Sequence, residues 1–153
     1  MLDSQPDATA DALIRGAGLR VTATRVAVLE ALRDRPHATA DDVFARLVGS
    51  LPGTSKQSVY NALGDFADAG LARRIEPAGH SGTFELRVGD NHHHVVCTRC
   101  GRIDDVDCVV GAAPCLHAPE GSGFVIETAE VTFWGVCPDC QAESEAEKPR
   151  GSR

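Results

Sequence analysis

Four cysteines stand in two pairs of equal spacing, Cys97-Thr98-Arg99-Cys100 and Cys137-Pro138-Asp139-Cys140. A C-x-x-C knuckle turns two thiolates toward one point, and two knuckles complete a tetrahedron suited to Zn²⁺. Between them lie 36 residues, more than the roughly 15–20 common in such sites. That length holds a strand–helix–strand insert, so the metal would tie together the two ends of a small domain. Structural zinc is worth roughly 10–16 kcal/mol in small peptides, and the domain is expected not to fold without it. A redox disulfide at one or both knuckles and an iron site with all-sulfur ligands use the same residue types. Two knuckles in one chain favour zinc. Cys108 and Cys115 lie outside the pattern and read as buried, inert thiols.

Just before the first knuckle comes His92-His93-His94-Val95-Val96. On a strand, side chains alternate, so His92 and His94 share one face, while His93 and Cys97 point to the other. A site on the His92/His94 face would therefore be distinct from the cysteine quartet. Glu85, Asp90, Asp104 and Asp105 are the nearby carboxylates. A mixed imidazole and carboxylate shell suits Fe²⁺ or Mn²⁺ better than an all-sulfur shell does. A polar strand with solvated histidines is the plainer reading of the same residues.

The elements that must position these groups fall into two halves. In the first, a helix is expected from Asp11 to Ala17, stopping at Gly18. A second is expected to be capped by Thr24, with Val28, Leu29 and Leu32 on its apolar face and Pro36 beyond its end. Thr39-Ala40-Asp41-Asp42 resembles a capping box ahead of Val43, Phe44 and Leu47, and Gly49 supplies a stop. Ser55 can cap a fourth helix with Val59, Leu63 and Phe66 at i, i+4 and i+7, ending at Gly70. Strands at 71–76 and 83–88 flank a Pro77-to-Gly82 turn. Helices followed by such a hairpin suggest a winged helix-turn-helix; a small helical domain carrying a hairpin has the same pattern. In the second half, 93–97, 102–106 and 131–136 read as strands. Glycine and proline between Gly111 and Gly123 leave room for only a short helix. The polar stretch 141–153 reads as a disordered tail.

Net charge is −7, with nine Lys/Arg against ten Asp/Glu through residue 80 and six against twelve after it. The acidity thus sits in the half with the metal ligands, and the first half is close to neutral. The N-terminus lacks the basic and apolar regions of a signal peptide. No apolar run approaches the roughly 18 residues of a membrane span. The chain reads as soluble and cytoplasmic, where paired cysteines more often bind metal than form disulfides.

In the fourth helix, Lys56, Tyr60 and Gly64 follow one another at i, i+4 and i+8, with Gln57 and Asn61 beside them. They form a polar face opposite Val59, Leu63 and Phe66. Such a face fits a major groove: Asn can bond adenine bidentately and a Tyr ring can contact a thymine methyl. A solvated helix face is the alternative on these residues alone.

Taken in order, Gly18-Leu19-Arg20-Val21-Thr22-Ala23-Thr24-Arg25, Ser58-Val59-Tyr60-Asn61-Ala62-Leu63, the Asp90-to-Gly101 segment and the second knuckle resemble the ferric uptake regulator (Fur) family over about residues 10–140. The resemblance implies an α+β chain: an N-terminal winged helix-turn-helix with hinge over 1–88, then a small α/β dimerisation domain with a four-cysteine zinc site over 89–140. It implies a homodimer that represses transcription from palindromic double-stranded operator DNA when a metal corepressor is bound. Structural Zn²⁺ maps to Cys97, Cys100, Cys137 and Cys140. Regulatory Fe²⁺ or Mn²⁺ maps to His37, Glu85, His92, His94 and Asp105. Arg15 and Arg20 match positions that touch phosphate or the minor groove, and Lys56, Gln57, Tyr60 and Asn61 fall on the recognition helix. Asn91 and Ala129 stand where many members carry histidines of a third metal site, so a complete third site is not expected. Asp105 and Asn61 resemble the peroxide-sensing (PerR) branch, where iron regulators have Glu and Arg. Cys108, Cys115 and the Asp90-to-His94 stretch resemble the catalase-regulating (FurA or CatR) branch.

These features predict a peroxide-responsive regulator of catalase and oxidative-stress genes, with an iron-responsive regulator of iron uptake as the alternative. An enzyme is the competing class: two His and a carboxylate could hold a hydrolytic Zn²⁺. No H-E-x-x-H or G-x-S-x-G motif supports a hydrolase, and none is expected. A plain zinc-ribbon module leaves residues 10–80 unexplained.

Overall fold

The computed structural model describes residues 8–77, 79–86, 92–107, 121, 123–125 and 131–146. The chain divides into two compact units, Met1–Asp90 and Asn91–Arg153. Among the described residues no helix is long and apolar enough to cross a membrane.

The first unit opens with α1 (Ala10–Gly16), capped by Thr9, whose hydroxyl accepts from the Ala12 amide. Helix α2 (Ala23–Asp34) is capped by Thr22, not by the Thr24 expected from sequence. Thr22 is extended (φ −137°, ψ 155°) and its Oγ1 accepts from the Arg25 amide at 3.2 Å. Both threonines carry the right side chain, and the backbone geometry at Thr22 decides between them. A two-residue strand, β1 (Ala38–Thr39), then leads into α3 (Ala40–Leu47). The capping box is present: Thr39 Oγ1 accepts from the Asp42 amide, and the Thr39 amide donates to the Asp42 carboxylate. That second bond is the main reason the Asp42 carboxyl is held below its ordinary range. Helix α4 (Lys56–Asp68) begins at the Ser55 cap, and Gly70, at φ 70°, takes the left-handed position that ends it.

These helices bury one common core. Ile14, Val28, Leu29, Val43, Val59, Leu63 and Phe66 are almost without solvent contact. Each such side chain contributes about 1.5–3 kcal/mol on transfer from water. Strands β2 (Arg73–Ile75) and β3 (Thr83–Glu85) form the hairpin, and β1 adds to the free edge of β3, giving the antiparallel order β1-β3-β2. Helices followed by this small sheet make the first unit a winged helix. Strand β1 is too short to show any periodicity, and only its pairing (Ala38 with Phe84, Thr39 with Thr83) reveals it.

In the second unit, β4 (His92–Cys97) is central. It pairs antiparallel with β5 (Ile103–Asp107) and parallel with β6 (Thr132–Gly135). The short helix expected between Gly111 and Gly123 falls almost entirely outside the described residues. Helix α5 (Pro138–Ala146) follows β6, so the chain is helical through Ala146, where the sequence reads as disordered from Gln141. Pro138 suits the first helical position, Asp139 favours the positive end of the helix dipole, and Gln141, Ala142 and Glu143 are strong helix formers.

Candidate metal sites and nucleic-acid interface

The two knuckles meet. One sulfur from each of Cys97, Cys100, Cys137 and Cys140 lies within 4.8 Å of the others, and Cys100 Sγ is 3.7 Å from Cys137 Sγ. Zinc–thiolate bonds of about 2.3 Å at tetrahedral angles put sulfurs about 3.8 Å apart, so this spacing fits a metal and is far too long for a disulfide. The local fold sets it up. Cys97 ends β4, its amide bonds to Arg102 O at 2.8 Å, and the Gly101 amide returns to Cys97 O at 2.9 Å. Gly101 at φ 75° lets that turn close. The second knuckle is the start of α5, whose free N-terminal amides favour negative charge. Backbone amides of Cys100 and Cys137 lower the Cys97 thiol to about 6. A hydrogen bond with Cys137, helped by burial, pushes Cys140 up to about 12. Cys97 is therefore the readier of these two to bind as a thiolate, and Cys140 needs a cation to lose its proton. Arg99 reinforces the frame by donating to Cys140 O at 3.2 Å and to the Ser144 hydroxyl on α5.

The imidazole and carboxylate candidates assemble within each unit. In the first, His37 Nε2 lies 3.0 Å from Glu85 Oε2. Glu85 is 1% exposed and also receives Arg73, Nε to Oε1, at 2.8 Å. His37 is held at φ 60°, the one described non-glycine residue with positive φ. Such a conformation costs about 1–3 kcal/mol and persists only where its surroundings fix it. In the second unit, His92 and His94 are buried on one face of β4 with their rings 4.8 Å apart. Asp105 stands opposite His94 in register, and its Oδ1 is 3.6 Å from His92 Nε2 and 3.5 Å from His94 Nε2. Donor atoms around one ion at about 2.1 Å sit roughly 3.0–3.4 Å apart, so the spacing of Asp105 from each imidazole is close to that of a pair of metal ligands. His93 faces the other way, against the Phe133 ring at 6.4 Å. Asp104 does not join the set; it pairs with Arg102 at 3.0 Å. Asp90, Cys108 and Cys115 lie outside the described residues.

On α4, Lys56, Gln57, Tyr60, Asn61 and Gly64 form one exposed face, opposite buried Val59, Ala62, Leu63 and Phe66. Gln57 Nε2 donates to Asn61 Oδ1 at 2.8 Å, and Lys56 Nζ donates to Asp41 Oδ1 at 2.9 Å. A cleft of about 320 Å³ runs beside this face, between α4 and the hairpin, with Tyr60, Gly64, Arg74 and Gly82 on its walls. Arg15 and Arg20 are exposed near α2, Arg15 paired loosely with Asp11 at 3.8 Å and Arg20 lending its carbonyl to Arg25. Sequence reasoning missed Arg73, Arg74 and Asp41. Hairpin register could have found Arg73, which stands opposite Glu85. Asp41 becomes a partner of Lys56 only through helix packing.

The Ferric uptake regulator family matches residues 16–133. The transcriptional regulator FurA of Mycobacterium tuberculosis is 53% identical over 127 residues, 83% of this chain and 86% of that one. The peroxide operon regulator of Bacillus subtilis is 32% identical over 128 residues, 83% of this chain and 88% of that one. The structure of the ferric uptake regulator from Pseudomonas aeruginosa with manganese shares 25% identity at a TM-score of 0.63, covering 86% of this chain and 99% of that one. Paired cysteine knuckles, a winged helix with a polar exposed face and a match over most of the chain agree: this protein belongs to the ferric uptake regulator family, and is a metal-dependent transcriptional regulator.

Proposed function

We propose that this protein is a peroxide-responsive repressor of catalase and other oxidative-stress genes, acting in the cytoplasm as a homodimer on palindromic operator DNA. The observation that carries the reading is the short carboxylate of Asp105, which lies opposite His94 in register and has its Oδ1 3.6 Å from His92 Nε2 and 3.5 Å from His94 Nε2. Cys97, Cys100, Cys137 and Cys140 would hold structural Zn²⁺. His37 and Glu85 from the first unit, with His92, His94 and Asp105 from the second, would hold the regulatory Fe²⁺ or Mn²⁺. That division follows the family resemblance, and it makes the ion the device that selects one arrangement of the units. The manganese in the Pseudomonas aeruginosa regulator and the hard oxygen and imidazole donors here support the choice of metal.

Fe²⁺ held by these residues would supply the electron that reduces peroxide and so put a strong oxidant beside its ligands. His37 and His92 are the imidazoles expected to take up oxygen, and an oxidised ring no longer donates a ligand nitrogen. The test is peptide mass spectrometry after low peroxide on the Fe²⁺ form, with the Mn²⁺ form as control. Added oxygen on His37 or His92 in the iron form alone supports the reading. Unmodified histidines with disulfides and lost zinc would move the switch to the cysteines. Unmodified histidines and cysteines, with DNA binding that follows iron supply, would make the protein an iron regulator.

A further inference from the structure

We propose that Arg73 is a positioning residue of the regulatory metal site: it holds one oxygen of Glu85, leaves the other toward His37, and by its charge keeps the ion exchangeable. The inference rests on the assignment of His37 and Glu85 as regulatory ligands. Arg73 on β2 stands opposite Glu85 on β3 in the hairpin register. Its Nε donates to Glu85 Oε1 at 2.8 Å, and a terminal nitrogen lies 2.6 Å from the same oxygen. An arginine and a carboxylate commonly pair through two parallel bonds, one to each oxygen. Here both nitrogens converge on Oε1. Oε2 faces His37 Nε2 at 3.0 Å, a separation close to that of two donors on one ion. The guanidinium thus divides the carboxylate into a held oxygen and a ligand oxygen. Glu85 is 1% exposed, so water does little to offset its charge, and a buried carboxylate needs a cation beside it. Arg73 is that cation within the fold. A guanidinium one carboxylate away from a divalent ion stands roughly 6 Å from it, and even at water's dielectric their repulsion weakens binding about tenfold. A sensor has to lose its ion when supply falls, and a fixed positive charge behind a ligand serves that end.

The test uses the full chain carrying Zn²⁺ and loaded with Mn²⁺, as wild type, R73Q, R73K and E85Q. Release of Mn²⁺ to excess chelator is followed by stopped flow. R73Q should release Mn²⁺ about tenfold more slowly than wild type. R73K, which keeps the charge, should release it at close to the wild-type rate. Because the loaded protein is read, the result does not depend on how Glu85 meets the loss of Arg73 without metal. In the absence of Mn²⁺, R73Q should melt several degrees below wild type, since a buried carboxylate has lost its cation, and Mn²⁺ should recover the difference. E85Q should hold Mn²⁺ poorly. Equal release rates in R73Q and wild type, or equal melting without Mn²⁺, overturn the inference. Faster release from R73Q overturns it too, because Arg73 would then support the ligand without repelling the ion. R73K behaving as R73Q would assign the effect to the shape of the guanidinium and not its charge, which also overturns it. If E85Q holds Mn²⁺ as wild type does, Glu85 leaves the ligand set; the regulatory-site assignment itself fails, and this inference with it.

Discussion

Lys56 already has a carboxylate partner in Asp41. Its ammonium donates to Asp41, and that hydrogen bond raises its pKa above the ordinary lysine value. Net charge is −7, so DNA affinity must come from a few cations in the right place. Each phosphate neutralised adds about 0.9 to the slope of log affinity against log salt on duplex DNA. Lys56→Ala should weaken operator and random DNA alike and reduce that slope by about 0.9 for each lysine lost. Fluorescence anisotropy titrations across a salt series measure it; a loss confined to the operator would show Lys56 reading bases instead. The exposed face that carries Lys56 was legible in the sequence because helical spacing alone sorts its residues from Val59, Leu63 and Phe66. The Asp41 partner was not legible, since it depends on how α3 packs against α4. The same holds for Arg73 and Glu85, which meet across the hairpin.

Among elements, the second unit depends most on metal. Among the described residues, strands β4 to β6 and helix α5 bury few large aliphatic side chains, and both knuckles sit at their ends. Cys140→Ser should abolish zinc binding and, with it, dimerisation and operator binding, while the helical signal of the first unit persists. Metal analysis, sedimentation and circular dichroism read these together, and a zinc-free dimer with normal operator binding would contradict the structural role. Because Cys97 ionises near 6 and Cys140 only near 12, zinc capture must displace protons and should weaken as pH falls. Competition with a chromophoric chelator across a pH series measures this, and a zinc affinity flat with pH would contradict it. The knuckle spacing was open to sequence reading, as were most helix ends, because a Thr39 or Ser55 cap and a Gly70 stop act locally. Thr22 against Thr24 turned on backbone angles. Strand β1 turned on pairing, and α5 on a polar composition that reads equally well as tail.

Over the whole molecule, two functions are divided between two units: a winged helix whose polar face suits a groove, and a small sheet with its own metal ligands. In the function proposed above, regulatory metal would couple them and peroxide would break the coupling. The most direct measurement is a gel shift with catalase-promoter DNA, comparing metal-free, Fe²⁺-loaded and Mn²⁺-loaded protein before and after low peroxide. No specific complex should form without the regulatory metal, one should form with either ion, and the iron complex alone should be lost on peroxide treatment. A complex that forms without regulatory metal, or an iron complex that survives peroxide as well as the manganese one, would contradict the proposed function.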